Sequence, residues 1–116
     1  MFLVAAFVTT ATLADAGDSN AGKTLFKKCM ACHSPDAGVI KVGPSLHGIV
    51  GRRSAGMEKF QYSPAMKGLN KVWDESELDV YLTNPRAFVP NTKMIFPGFK
   101  DPADRQNLIA YLATLK

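Results

Sequence analysis

The sequence predicts an all-α fold of about four to five helices joined by long loops. Three observations carry this. Apolar residues recur at helical spacing behind Asp-Glu and Asp-Pro starts, with a Ser-Pro start between loops. No segment alternates apolar and polar residues as a half-buried strand does. The stretch from Ser34 to Tyr62 is rich in Gly and Pro and has a period of neither 2 nor 3.6 residues. A loop of that length is unusual inside a compact domain unless it packs on a bulky cofactor instead of on other elements. With 116 residues, 47% of them apolar and 21% charged, the chain has the size and composition of one globular domain. Domains this small bury a modest share of their surface and commonly need a staple.

Asp18, Ser19 or Asn20 supplies a cap for a first helix through Ala21 to Cys29, which ends near the two cysteines. Ser63-Pro64 is a cap followed by proline at the first helical position, opening a short helix through Leu69. Asp74-Glu75-Ser76-Glu77 resembles a capping box with Asp as the cap. Behind it Leu78 and Leu82, with Val80 and Tyr81 beside them, form an apolar face until Asn84-Pro85 stops the helix. Asp101-Pro102-Ala103-Asp104 opens the last helix in the same style, with Leu108, Ile109, Leu112 and Leu115 at helical spacing.

Ahead of these elements, Phe2 to Ala14 is an apolar run of thirteen residues, short of the roughly 20 that a membrane-crossing helix needs. It ends in Ala14-Asp15-Ala16, the small-residue pattern of a secretory cleavage site. Residues 1–16 therefore read as a signal peptide and 17–116 as the mature domain. The Lys or Arg that normally precedes the apolar part of a leader is missing, so the alternative is a truncated anchor remnant that tethers the domain to the membrane, facing the periplasm. The formal charge is +4, and loss of 1–16 removes Asp15 and leaves +5. Such a charge suits a partner of negative surface, whether protein, membrane or nucleic acid, and charge alone does not choose among them.

Cys29-Met30-Ala31-Cys32-His33 is Cys-x-x-Cys-His, the attachment sequence of c-type haem. Two thiols at this spacing can add to two vinyl groups on one porphyrin edge, and the histidine that follows is then placed under the iron as an axial ligand. A disulfide between the same cysteines closes too small a loop to staple much. A dithiol redox centre wants βαβ surroundings that no strand pattern supplies. A zinc site on Cys29, Cys32 and His47 lacks a second ligand pair at zinc-finger spacing. An unpaired dithiol is also unusual in an exported protein. Haem accounts for the cysteines, His33 and the long loop together.

Beyond the motif the residues resemble class I cytochrome c, in particular the mitochondrial cytochrome c and bacterial cytochrome c2-like branch, from about Gly22 to Leu115. Gly43-Pro44-Ser45-Leu46-His47-Gly48 and Gly51-Arg52 are similar to that branch's middle loop, Asn84-Pro85 to its helix stop, and Pro90-Asn91-Thr92-Lys93-Met94-Ile95-Phe96 to its methionine loop. The resemblance implies a fold wrapped around one haem c, covalently attached through Cys29 and Cys32, with the iron held between His33 and Met94. The other methionines lie elsewhere: Met1 in the leader, Met30 inside the motif, Met57 and Met66 in the loop and a short helix.

The same resemblance implies that Pro44 offers its carbonyl to the free ring N–H of His33, that Arg52, Tyr62 and Trp73 surround the haem propionates as donors, and that Tyr81 lies beside the Met94 sulfur. Trp73 and Tyr81 also read as ordinary aromatic core, and the two roles are compatible. Phe26 and Tyr111 correspond to aromatics where the first and last helices cross, with Gly22 allowing the close approach. His47 reads as a loop histidine and not a ligand. In two places the sequence departs from mitochondrial members: Ile40 replaces a loop-pinning histidine, and Met66 replaces an asparagine near a buried water. The distal hydrogen bonding, and with it the redox potential, is open to change there.

The function that follows from the resemblance is that of an electron carrier and not an enzyme. It would shuttle single electrons between a membrane quinol-oxidising, bc1-type complex and a terminal cytochrome oxidase, photosynthetic reaction centre or other acceptor. The expected setting is the bacterial periplasm, or alternatively the mitochondrial intermembrane space, with a monomeric protein, association with a membrane surface and no nucleic acid. The rival class, a haem peroxidase or ligand sensor, needs the distal iron position vacant or weakly held. Lys27, Lys28, Lys41, Arg86, Lys93 and Lys100 bracket the expected ligands in sequence, while Asp74, Glu75, Glu77 and Asp79 concentrate at one helix start. The expected docking partners therefore carry acidic patches.

Overall fold

Each helix begins where a short polar side chain can satisfy the first free N–H groups. In the computed structural model, which describes residues 2–7 and 17–116, Asp18 caps α1 (Ser19–Leu25) by accepting from the N–H groups of Asn20 at 2.9 Å and Ala21 at 3.3 Å. The expected leader cleavage site lies outside the described residues. A single 3-10 turn, Phe26–Lys28, carries α1 on to Cys29. Ser63 caps α2 (Pro64–Lys67) and Asp74 caps α3 (Glu75–Thr83), the latter accepting from Glu77 N–H at 2.7 Å. Asn84 ends α3 in extended backbone and at once caps a single turn, α4 (Pro85–Phe88), with Pro85 at its first position. Asp101 caps α5 (Pro102–Ala113). The helix after Ser63 stops two residues before the expected Leu69. Gly68 caps its end, and Asn70, at φ +53°, turns the chain away toward its pairing with Ser54.

Among the described residues there are no strands, only one isolated bridge between Arg53 and Val72. The long stretch 34–62 has no helix. Backbone bonds hold it instead: Gly51 N–H to Trp73 O and Trp73 N–H to Arg52 O, both 2.8 Å, and Ser54 N–H to Lys71 O at 2.7 Å. Ile49 is the one apolar side chain of that stretch in the buried core.

The crossing of α1 and α5 frames the molecule. Gly22 is buried at the crossing, and the position takes glycine because a Cβ would overlap the Asn107 carbonyl and come within 2.8 Å of the Tyr111 Cβ. Phe26 and Tyr111 meet with ring centroids 5.2 Å apart. The core joins Phe26, Leu108, Ile109 and Leu112 of this crossing to Trp73, Leu78, Tyr81, Leu82, Val89 and Phe99. Cys29, Leu46, Met66 and Met94 pack partly buried against it. The attachment cysteine and the methionine loop thus border one common core.

Candidate functional site

Two further backbone bonds, Cys32 N–H and His33 N–H to Cys29 O at 3.1 and 2.8 Å, wind the Cys-x-x-Cys-His segment into a turn. Both thiols are unpaired, Cys29 half-buried and Cys32 exposed. Burial, assisted by the neighbouring Cys32, pushes the Cys29 thiol up to about 11, so it is protonated at neutral pH. A dithiol redox centre or thiolate metal site requires the opposite, a stabilised thiolate. Among the described residues no group of three or more His, Cys, Asp or Glu side chains is placed to hold a metal ion.

The His33 ring is half-buried, and its Nδ1 lies 2.7 Å from the Pro44 carbonyl. A carbonyl only accepts, so Nδ1 carries the proton and the lone pair is on Nε2. Burial first, and then the charge of Lys41, hold the imidazole below its ordinary pKa, although the Pro44 carbonyl pulls the other way. A neutral ring with its tautomer fixed is the form that donates to a metal. Gly43 packs flat against it: a Cβ there would come within 2.8 Å of Nδ1, while the Gly43 N–H bonds back to Cys32 O at 2.7 Å. The loop therefore clasps the ring from behind.

From Asn91 to Phe96 exposure alternates along the chain. Thr92, Met94 and Phe96 are half-buried, and Asn91, Lys93 and Ile95 are exposed. The Tyr81 hydroxyl donates to Met94 Sδ at 3.2 Å, and the Met94 N–H donates to Thr92 Oγ1 at 3.2 Å. Burial pushes the Tyr81 phenol up to about 12, with Thr92 pulling it down, so Tyr81 remains a donor across neutral pH. Its ring lies 4.9 Å from Trp73, which is buried, and 5.8 Å from Phe88.

Arg52 donates from Nη1 to Ser45 O at 2.8 Å and from Nη2 to His47 O. Its remaining N–H groups are left for a further acceptor. The Tyr62 hydroxyl accepts from Met57 N–H at 3.1 Å and keeps its own proton to donate. His47 Nδ1 is turned to the Pro35 carbonyl at 3.2 Å. Ile40 is exposed, and the loop it does not pin is held by His47 and by Ser45, whose hydroxyl donates to Asp36 O at 2.5 Å. Met57 is half-buried beside Tyr62, and Met66 packs against the core. The structure thus brings His33 to Pro44, Tyr81 to Met94, and Trp73 to Tyr81. Sequence reasoning gave no separate role to Ser45, whose hydroxyl and carbonyl tie the loop and Arg52 together.

These residues fit a covalently bound haem. They offer two unpaired thiols at the attachment spacing, an imidazole with its second nitrogen free, and a thioether held on one lone pair by a tyrosine. Comparison with known proteins points the same way. The family model for cytochrome c matches residues 19–116. Cytochrome c of Nigella damascena is 46% identical over 101 residues, spanning 85% of this chain and 91% of that protein. Cytochrome c2 of Rhodomicrobium vannielii is 46% identical over 112 residues, spanning 95% of this chain and 89% of that one. Among solved structures, cytochrome cH from Methylobacterium extorquens superposes with a TM-score of 0.79 at 40% identity, covering 84% of this chain and 99% of its own.

Proposed function

Because the chain belongs to the cytochrome c family, we propose that it shuttles single electrons between a membrane quinol-oxidising, bc1-type complex and a terminal oxidase, reaction centre or other acceptor. Members of the family are carriers built on haem c, and Cys29 and Cys32 are the attachment cysteines here. When bound, the haem supplies an iron that accepts and releases one electron.

The axial ligands in this reading are His33 Nε2 and Met94 Sδ. The observation that carries it is the matched preparation of the two donor atoms, the Pro44 carbonyl on His33 Nδ1 at 2.7 Å and the Tyr81 hydroxyl on Met94 Sδ at 3.2 Å. The first fixes the ring and its tautomer. The second fixes the thioether and draws density from sulfur, which favours the reduced state of a metal bound there. Arg52, Tyr62 and Trp73 are the donors for the propionates. With His33 and Met94 both holding the iron, no position would be left on it for a substrate, and on that ground we read the chain as a carrier and not an enzyme. We place it in the bacterial periplasm as a monomer, residues 1–16 serving as the leader of a 17–116 domain.

The docking face follows from charge. Lys27, Lys28, Lys41, Arg86, Lys93 and Lys100 are all exposed. The two ion pairs among the described residues, Lys71–Glu77 and Arg105–Asp79, use none of them and instead neutralise acids of α3. Electron transfer to a physiological partner should therefore slow steeply as salt rises and the Debye length falls from ~30 Å at 0.01 M to ~8 Å at 0.15 M. Charge reversal at Lys28 or Lys93 should slow it more than reversal at Lys71. Stopped-flow rates across ionic strength check this, and equal effects at all three positions, or a rate indifferent to salt, would refute the face.

A further inference from the structure

Arg105 of α5 is a buried cation, 9% exposed, with no part in the reading above. Its Nε donates to Asp79 Oδ1 of α3 at 2.7 Å, and its Nη1 to the carbonyls of Phe99 at 2.9 Å and Lys100 at 3.2 Å. A guanidinium taken out of water needs partners of this kind, and two of these three belong to the segment that carries Met94. The same corner is tied to the end of α3 directly. Phe99 N–H donates to Leu82 O at 2.8 Å, Lys100 Nζ to Thr83 O at 2.9 Å, and Gly98, at φ +97°, passes so close to the Thr83 carbonyl that a Cβ would collide with it. The Phe99 ring is buried, lies 5.1 Å from that of Phe96, and has the Lys28 ammonium 5.4 Å from its centroid, one residue before Cys29. Upstream of this corner, Met94's own bonds run to Thr92 and Tyr81.

We propose that Arg105 is a positioning residue for Met94. With Asp79 it locks the Phe99–Lys100 corner between α3 and α5, and so sets how rarely the methionine segment opens. The planar fork explains the residue type, since it reaches a carboxylate on one side and two carbonyls on the other, whereas a lysine ammonium is a single point on a flexible stem. The proposal rests on Met94 being the distal ligand.

Imidazole added to the ferric holoprotein binds iron only when Met94 has left, so its apparent affinity tracks the open fraction. In Arg105→Lys, imidazole should bind about tenfold more tightly, and the Phe99 amide should exchange about tenfold faster, as expected for loss of one charged hydrogen bond. Asp79→Asn should move both in the same direction by less. Lys71→Ala, which breaks the other ion pair to α3, should move neither. A merely structural Arg105 would lower the melting temperature while leaving imidazole affinity at the wild-type value, and that result overturns the proposal. Should Arg105→Lys fail to fold, Asp79→Asn decides by the same two readouts. A wild-type protein without a methionine-to-iron band would overturn the Met94 reading and this proposal with it. A wild-type band with unchanged imidazole affinity in the variants overturns the lock alone.

Discussion

Met94→Ala is expected to keep its haem while losing the weak methionine-to-iron band at the red end of the ferric spectrum, with a reduction potential lower by roughly 0.1–0.3 V. That range is a fraction of the ~0.8 V over which axial ligands set haem potentials. The haem stays because its thioether bonds through Cys29 and Cys32 are independent of the distal bond. The potential falls because the thioether is the ligand that favours ferrous iron. The variant also deprives the buried Tyr81 hydroxyl of the sulfur it donates to at 3.2 Å, leaving Thr92 as its neighbour. Retention of the band would move the distal ligand to Met66 or Met57.

Removing Cys29, Cys32 or His33 should have the larger structural effect, abolishing stable folding. Ordering a residue costs about 1–2 kcal/mol of backbone entropy, and across 34–62 the chain contributes Ile49 as its one apolar side chain in the buried core. The loop therefore depends on the cofactor it surrounds, and the clasp of Gly43 and Pro44 closes on nothing once His33 is gone. Far-ultraviolet circular dichroism of each variant should show loss of helix and no cooperative melting. Native-like helicity in the apoprotein would contradict this.

Helix starts were legible because their chemistry is local: Asp18, Ser63, Asp74 and Asp101 each cap the turn that follows them. Helix ends and single turns were less so. The end of α2 is set by Asn70 and the pairing of Lys71 with Ser54, seventeen residues away. Asn84-Pro85 read as a stop, yet the same asparagine accepts from Ala87 N–H and starts α4, a turn too short for any apolar period to register. Within the site, the Cys-x-x-Cys-His motif is self-announcing, whereas Pro44 and Met94 stood out through family resemblance and not through periodicity. Arg105 was hidden by the ordinary rule that charges face solvent. It sits one turn before Leu108 and Ile109 on the buried stripe of α5, where only the approach of Asp79 and the Phe99 carbonyl makes a cation tolerable.

The central claim is that the iron is closed on both sides by His33 and Met94, which makes the chain a carrier. Carbon monoxide added to the reduced holoprotein at neutral pH tests it most directly, because the gas binds only where the sixth position is vacant or weakly held. The closed site predicts an optical spectrum unchanged over minutes, with binding appearing in Met94→Ala. Prompt binding by the wild-type protein would contradict it and favour a peroxidase or a ligand sensor.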